Sequence, residues 1–180
     1  MKSTFTSTGR AADTTDEMRD EIVDWLRDAY SMERGLETSL EKQSQDNDLD
    51  PAMRERASTH LEETKRHAEL VRSALQSLDA DTSAMKTAMG AMGQGFKGLS
   101  SQFARDQHIK DLLDAYMMEH FEIACYTSLE AAAEHAGFTQ VAEMCRQIIP
   151  DEERMAATLI DAIPQETVSY LFKEAHEAAR

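Results

Sequence analysis

Residues 116–126 read Tyr116-Met117-Met118-Glu119-His120-Phe121-Glu122-Ile123-Ala124-Cys125-Tyr126. Tyr116, Glu119, Ile123 and Tyr126 recur at spacings of three and four, continuing Ile109 and Leu112, which is how one face of an α-helix is written in sequence. That face is apolar except for Glu119, and Glu122 follows it by one turn. A buried carboxylate is costly unless something pairs with it or binds it. Two on adjacent turns also repel each other, and a bound cation relieves both penalties. The stretch therefore predicts a helix that turns metal ligands inward. The fold question becomes whether other helices supply matching donors.

The composition agrees with an all-α chain. Its 180 residues hold only three prolines and seven glycines, helix-favouring residues dominate, and β-branched runs of period two are missing. The length suits a single domain with a sizeable core. A formal charge of -15 disfavours nucleic acid and anionic membrane surfaces as partners. No apolar run approaches the ~20 residues that span a bilayer. Residues 1–13 are rich in Ser and Thr, lack the apolar stretch of a secretory signal, and read as a flexible tail before a domain at 14–180. Cys125 and Cys145 fall at apolar helical positions and form no Cys-x-x-Cys, which suits buried thiols in a reducing, cytoplasmic setting.

Four long helices can be traced. Thr14-Thr15-Asp16-Glu17 fits a capping box and opens the first, whose stripe is Ile22, Leu26, Ala29, Leu36 and Leu40. Glu33 continues that spacing. Asp50-Pro51 opens the second, with Met53, Ala57, Leu61, Thr64, Ala68, Val71 and Leu75 as its stripe and His60, Glu63 and His67 along one flank. Residues 79–105, with Gly90, Gly93, Gly95 and Gly98, read as a long crossover in which 84–91 forms a short helix and Met85, Met89 and Met92 fill gaps. The third helix runs from about Asp106 to Ala136, capped by Gly137. The fourth carries Val141, Cys145, Ile148, Ile149, Glu152, Ala156, Leu159 and Ile163. Pro150 should kink or break it, and Pro164 should open a separate short helix at about 165–178. The result is an antiparallel four-helix bundle whose second and third helices run parallel, joined by the long crossover.

Each long helix thus places Glu in or beside its stripe: Glu33, Glu63, Glu119 with Glu122, and Glu152. His67, with His60 as a further candidate, adds nitrogen. Carboxylate and imidazole donors suit iron or manganese, and two such ions bridged by Glu are a recurrent bundle-core arrangement; zinc is a possible substitute. Tyr30, Tyr116 and Tyr126 lie one turn from these residues. Each feature has a plainer explanation when taken singly. A Glu in a stripe is usually an edge residue, Asp151-Glu152-Glu153 resembles a solvated face, and a tyrosine on such a face is usually core. The weight lies in one carboxylate per helix and a doublet on the third.

Asp28-Ala29-Tyr30-Ser31-Met32-Glu33, His60-Leu61-Glu62-Glu63-Thr64 and the 119–126 string resemble the YciF/YciE-like family (DUF892), bacterial stress-associated proteins of the ferritin-like superfamily. The resemblance covers about Glu17 to Ile163. It implies a rubrerythrin-like bundle, a homodimer, a di-iron site and a cytoplasmic role in stress. It matches Glu33, Glu63, the Glu119–Glu122 pair and Glu152 to ligands on the four helices in turn. The wider pattern of Glu-x-x-His on the second and fourth helices is not kept. Arg66 stands three residues after Glu63, with His67 next, and Met155 and Ala156 follow Glu152. No Cys-x-x-Cys module offers a built-in electron donor. The expected function is a di-metal carboxylate protein that oxidises ferrous iron or reduces peroxide. The alternatives are a non-enzymatic stress or structural protein with a vestigial site, or a metal-storage assembly.

Overall fold

The computed structural model describes residues 8–47, 49, 51–82 and 107–178. The protein is an all-α four-helix bundle. Its helices are α1 (Thr8–Gln45), α2 (Pro51–Ser77), α3 (Gln107–Ala136) and α4 (Thr139–Ala178), and no strand occurs among the described residues. Helix α1 begins at Thr8, one and a half turns before the capping box at Thr14, so the expected tail is helical from residue 8 onward. Asp50 and most of the expected crossover (83–105, with its glycines, methionines and short helix) lie outside the described residues.

Two compact units divide the chain: Met1–Lys86 with Thr127–Arg146, and Thr87–Tyr126 with Gln147–Arg180. Helices α3 and α4 run from one unit into the other. In the first unit, α1 packs on α2. The core residues there include Ile22, Leu26, Ala29, Leu61, Val71 and Leu75, all buried. They follow the spacings of three and four that the sequence displays. Burying each of the larger Ile, Leu and Val side chains contributes roughly 1.5–3 kcal/mol. In the second unit Leu112, Tyr126, Ile148, Ala156 and Leu159 are buried.

Two helix ends close in the same way. After α3, Gly137 takes the left-handed conformation (φ 81°). The Gly137 N–H donates to the Glu134 carbonyl at 3.2 Å and the Phe138 N–H to that of Ala133 at 2.8 Å. This pair of bonds is a Schellman cap, and Gly fills its strained position without a Cβ penalty. After α2, Asp79 adopts φ 53°; its N–H donates to Gln76 at 3.1 Å, and the Ala80 N–H donates to Leu75 at 3.0 Å. Arg19 donates to the Leu78 carbonyl and Arg27 to that of Asp81 at 3.4 Å, so cationic side chains from α1 serve the negative end of α2.

Neither proline ends α4. It runs as one 40-residue helix through Pro150 and Pro164, so no separate helix begins at 165. Each proline removes one helical hydrogen bond, at a cost of about 3 kcal/mol. Here both prolines, and the residues four positions back whose carbonyls are freed (Arg146 and Ile160), are exposed. Water can take those carbonyls, while burial of Ile148, Glu152, Ala156 and Leu159 on the other face holds the helix together.

Candidate metal centre

Three of the expected residues meet in the second unit. Helix α3 presents Glu119 and Glu122 from successive turns, and α4 presents Glu152. Their exposures are 2%, 1% and 1%. One carboxylate oxygen from each lies within 4.8 Å of the others. Such a set of anions is held together most simply by a cation. Among the described residues no lysine or arginine is buried.

The first unit brings together two further pairs. Glu33 of α1 and His67 of α2 are both 0% exposed, with Oε1 and Nδ1 3.9 Å apart. His60 is also buried, at 6%, and its Nδ1 lies 3.9 Å from Oε2 of Glu63. These separations are longer than hydrogen bonds. Donors bound to one ion at about 2.1 Å stand roughly 3–4 Å apart, so the Glu33–His67 spacing is one a shared cation would produce.

Glu63 differs from the other five predicted residues. Its side chain is 23% exposed while that of His60 is 8%. The cause is helix geometry. Position 63 lies about 60° around the helix from position 60, away from the Ala57, Thr64, Val71 and Leu75 stripe. His60 and His67 lie two turns apart on that stripe. The sequence signal for His60 was therefore present, because seven residues separate two histidines on the most buried face of α2. The pattern of one carboxylate per helix points to Glu63 instead and leaves His60 a further candidate.

Of the tyrosines, Tyr126 is fully buried (0%), one turn beyond Glu122 on the same face of α3. Tyr116 packs edge-on against His120, with ring centroids 4.6 Å apart. Tyr30 is partly buried. Cys145 is buried, and burial pushes its thiol up to about 12. It is a protonated core group rather than a thiolate ligand. Buried Glu and His groups of this kind can hold a metal ion.

The family described as domain of unknown function DUF892 matches residues 17–172. The chain belongs to this family, the YciF-like proteins. A protein of known crystal structure from Xanthomonas campestris pv. campestris is 31% identical, with a TM-score of 0.72, over 88% of this chain and 99% of the other. The Escherichia coli stress protein YciF is 22% identical, with a TM-score of 0.66, over 83% of this chain and 96% of its own. YcfI from Rhodopseudomonas palustris is 24% identical, with a TM-score of 0.66, over 79% and 92%. The last two likenesses establish the shared fold. Membership of the DUF892 family agrees with the ferritin-like bundle, and the family's description leaves the chemistry to be argued from the residues.

Proposed function

We propose that this DUF892 protein is a di-metal carboxylate protein of ferritin-like type that holds iron or manganese and acts in stress, oxidising ferrous iron or reducing peroxide. The observation that carries the reading is the buried triad Glu119, Glu122 and Glu152, with oxygens within 4.8 Å of one another. The proposed ligands are Glu119, Glu122 and Glu152 of the second unit and Glu33, His60 and His67 of the first, all of them buried. Four buried carboxylates then balance two divalent cations. Two imidazoles complete a set of hard and borderline donors suited to iron or manganese, with zinc as a substitute. The pattern of four carboxylates and two nitrogens is reached by an unusual route: both imidazoles come from α2 and none from α4.

A pair of such ions supplies valence change. The chain's own residues do the rest. The carboxylates hold the charge in a dry interior, where an oxidised centre is shielded from side reactions. Glu63, 3.9 Å from Nδ1 of His60, would orient that ring by closing to hydrogen-bond distance, as an outer carboxylate does. Tyr126, buried beside Glu122, offers a hydroxyl for proton transfer. The reading also takes the protein to be cytoplasmic and homodimeric. No described helix is long and apolar enough to cross a membrane, and Val168, Leu171 and Phe172, on the last turns of α4, are 51%, 60% and 64% exposed. That stripe suits a second copy of the chain.

Metal analysis of protein grown with iron and manganese, beside a Glu119→Ala/Glu122→Ala variant, tests the site. We expect close to two equivalents per chain in the parent and a large loss in the variant. Equal, near-zero metal in both would sink the proposal. Because Met155 and Ala156 follow Glu152 on α4 where the wider pattern has a histidine, a non-catalytic variant of the reading stays in view. It predicts metal retention with no ferrous iron oxidation and no peroxide consumption.

A further inference from the structure

We propose that the groove over Trp25, in the first unit, binds a small organic cation with an apolar body. Trp25 is the only tryptophan of the chain, and it is 44% exposed although it follows the buried Val23 and precedes the buried Leu26. It is not isolated on the surface. Met18, Ile22 and Trp25 form one wall of a groove of about 590 Å³, with Glu17 and Glu21 along its edge and His135 of α3 opposite. That volume lies within the roughly 300–1,000 Å³ of small-molecule sites.

Three features of the groove favour positive charge, and each has a different physical origin. Glu17 and Glu21 sit one turn apart on α1 and place two carboxylates on the same rim. Among the described residues neither has an ion-pair partner, whereas the neighbouring Asp20 is already paired with Arg19 at 3.0 Å. His135 belongs to the last turn of α3, the end of a helix that bears partial negative charge. The indole face itself attracts a cation held within about 6 Å of its centre, and tryptophan does so best among the aromatic residues. Met18 and Ile22 supply the apolar contact. With His135 neutral, an ammonium bearing an aromatic or alkyl body satisfies all of these at once, whereas an anion meets two carboxylates and an indole face. The site shares no residue with the carboxylate–histidine centre.

Titration with benzyltrimethylammonium, followed by Trp25 fluorescence at low salt and mildly alkaline pH, tests the proposal. We expect a saturable change with a sub-millimolar midpoint, weakened about fivefold by screening at high salt. Glu17→Gln/Glu21→Gln should weaken binding by about fivefold or more while leaving the melting curve and metal content unchanged. Benzoate, of similar size and opposite charge, should give no saturable response. A linear response to benzyltrimethylammonium, an equal response to benzoate, or an unchanged midpoint in the double variant would each overturn the assignment. Isothermal calorimetry with Trp25→Leu supplies a reading that does not depend on the fluorophore, and heat retained at the parent affinity would count against the groove.

Discussion

Nδ1 of His67 stands 3.9 Å from Oε1 of Glu33, and neither side chain is exposed to solvent. A base and an acid placed so close in a dry interior, yet beyond hydrogen-bond length, have the spacing of two ligands on one ion. The first prediction follows by linkage. Anything that binds only the folded state stabilises it, by about 2.7 kcal/mol at a hundredfold excess over the dissociation constant. For a chain of this length that is roughly 5–10 °C in melting temperature. Calorimetry with excess manganese should show this rise over chelator-treated protein, and Glu33→Gln should remove most of it. A parent protein that melts identically with manganese and with chelator would contradict the centre.

His60 and Glu63 are neighbours on α2 with unequal burial, and the proposal gives them unequal roles. His60→Ala should lower metal affinity by more than tenfold, as loss of a direct ligand does. Glu63→Gln should lower it by less than His60→Ala does, within the roughly 10–100-fold that loss of an orienting carboxylate costs. Competition with a fluorescent chelator measures both. The reverse order would return Glu63 to the inner set.

The two Schellman caps respond in opposite directions. Gly137 sits at φ 81° with nothing within 4 Å of the place a Cβ would occupy. Gly137→Ala therefore meets no clash and costs only the left-handed backbone penalty, about 1–2 kcal/mol. Asp79 already bears that penalty at φ 53°, so Asp79→Gly should gain about 0.5–1 kcal/mol. Denaturant unfolding with an unchanged slope would register both.

Cys145 sets an alkaline limit. Its folded-state value of about 12 exceeds the ordinary thiol range because burial disfavours the thiolate, with Glu130 adding to the effect. The unfolded chain loses this proton first, so the contribution of Cys145 to stability is complete below the ordinary thiol range and falls as pH rises from there toward 12. In native protein at mildly alkaline pH, a thiol reagent should label the partly exposed Cys125 well before Cys145. Mass spectrometry of the labelled peptides reads the order, and Cys145 should react promptly only after unfolding.

The apolar end of α4 carries the assembly prediction. Leu171→Glu/Phe172→Glu places two charges on side chains that are 60% and 64% exposed in the single chain. It should convert a homodimer into a monomer by light scattering and leave helicity intact. A parent that is already monomeric at micromolar concentration would refute the dimer.

Much of this molecule is written in its periodicity. Glu33 fills a gap in the Leu26, Ala29, Leu36 and Leu40 stripe, and Glu119, Glu122 and Glu152 do the same on their helices. Helical spacing alone was enough to mark them as inward. The cap at Gly137 was equally legible, because a glycine after a long stripe has one common use. Other features depend on which direction water lies. Pro150 and Pro164 looked like breaks because the local rule counts a lost bond. Their exposed side of α4 lets water satisfy the freed carbonyls while the buried side holds the helix. Trp25 lies alongside the Ile22 and Leu26 stripe in the sequence, and its place in a groove appears only once α1 is set beside the end of α3.

The sequence by itself determined the helices, their inner faces and the carboxylates upon them, since these follow from a repeat of 3.6 residues and the cost of burying charge. Only the tertiary structure decided that His60 is deeply buried while Glu63 is partly exposed, that Glu33 meets His67, and that α4 passes unbroken through its prolines. Those outcomes depend on what packs against each helix, and packing is a property of neighbours distant in the chain.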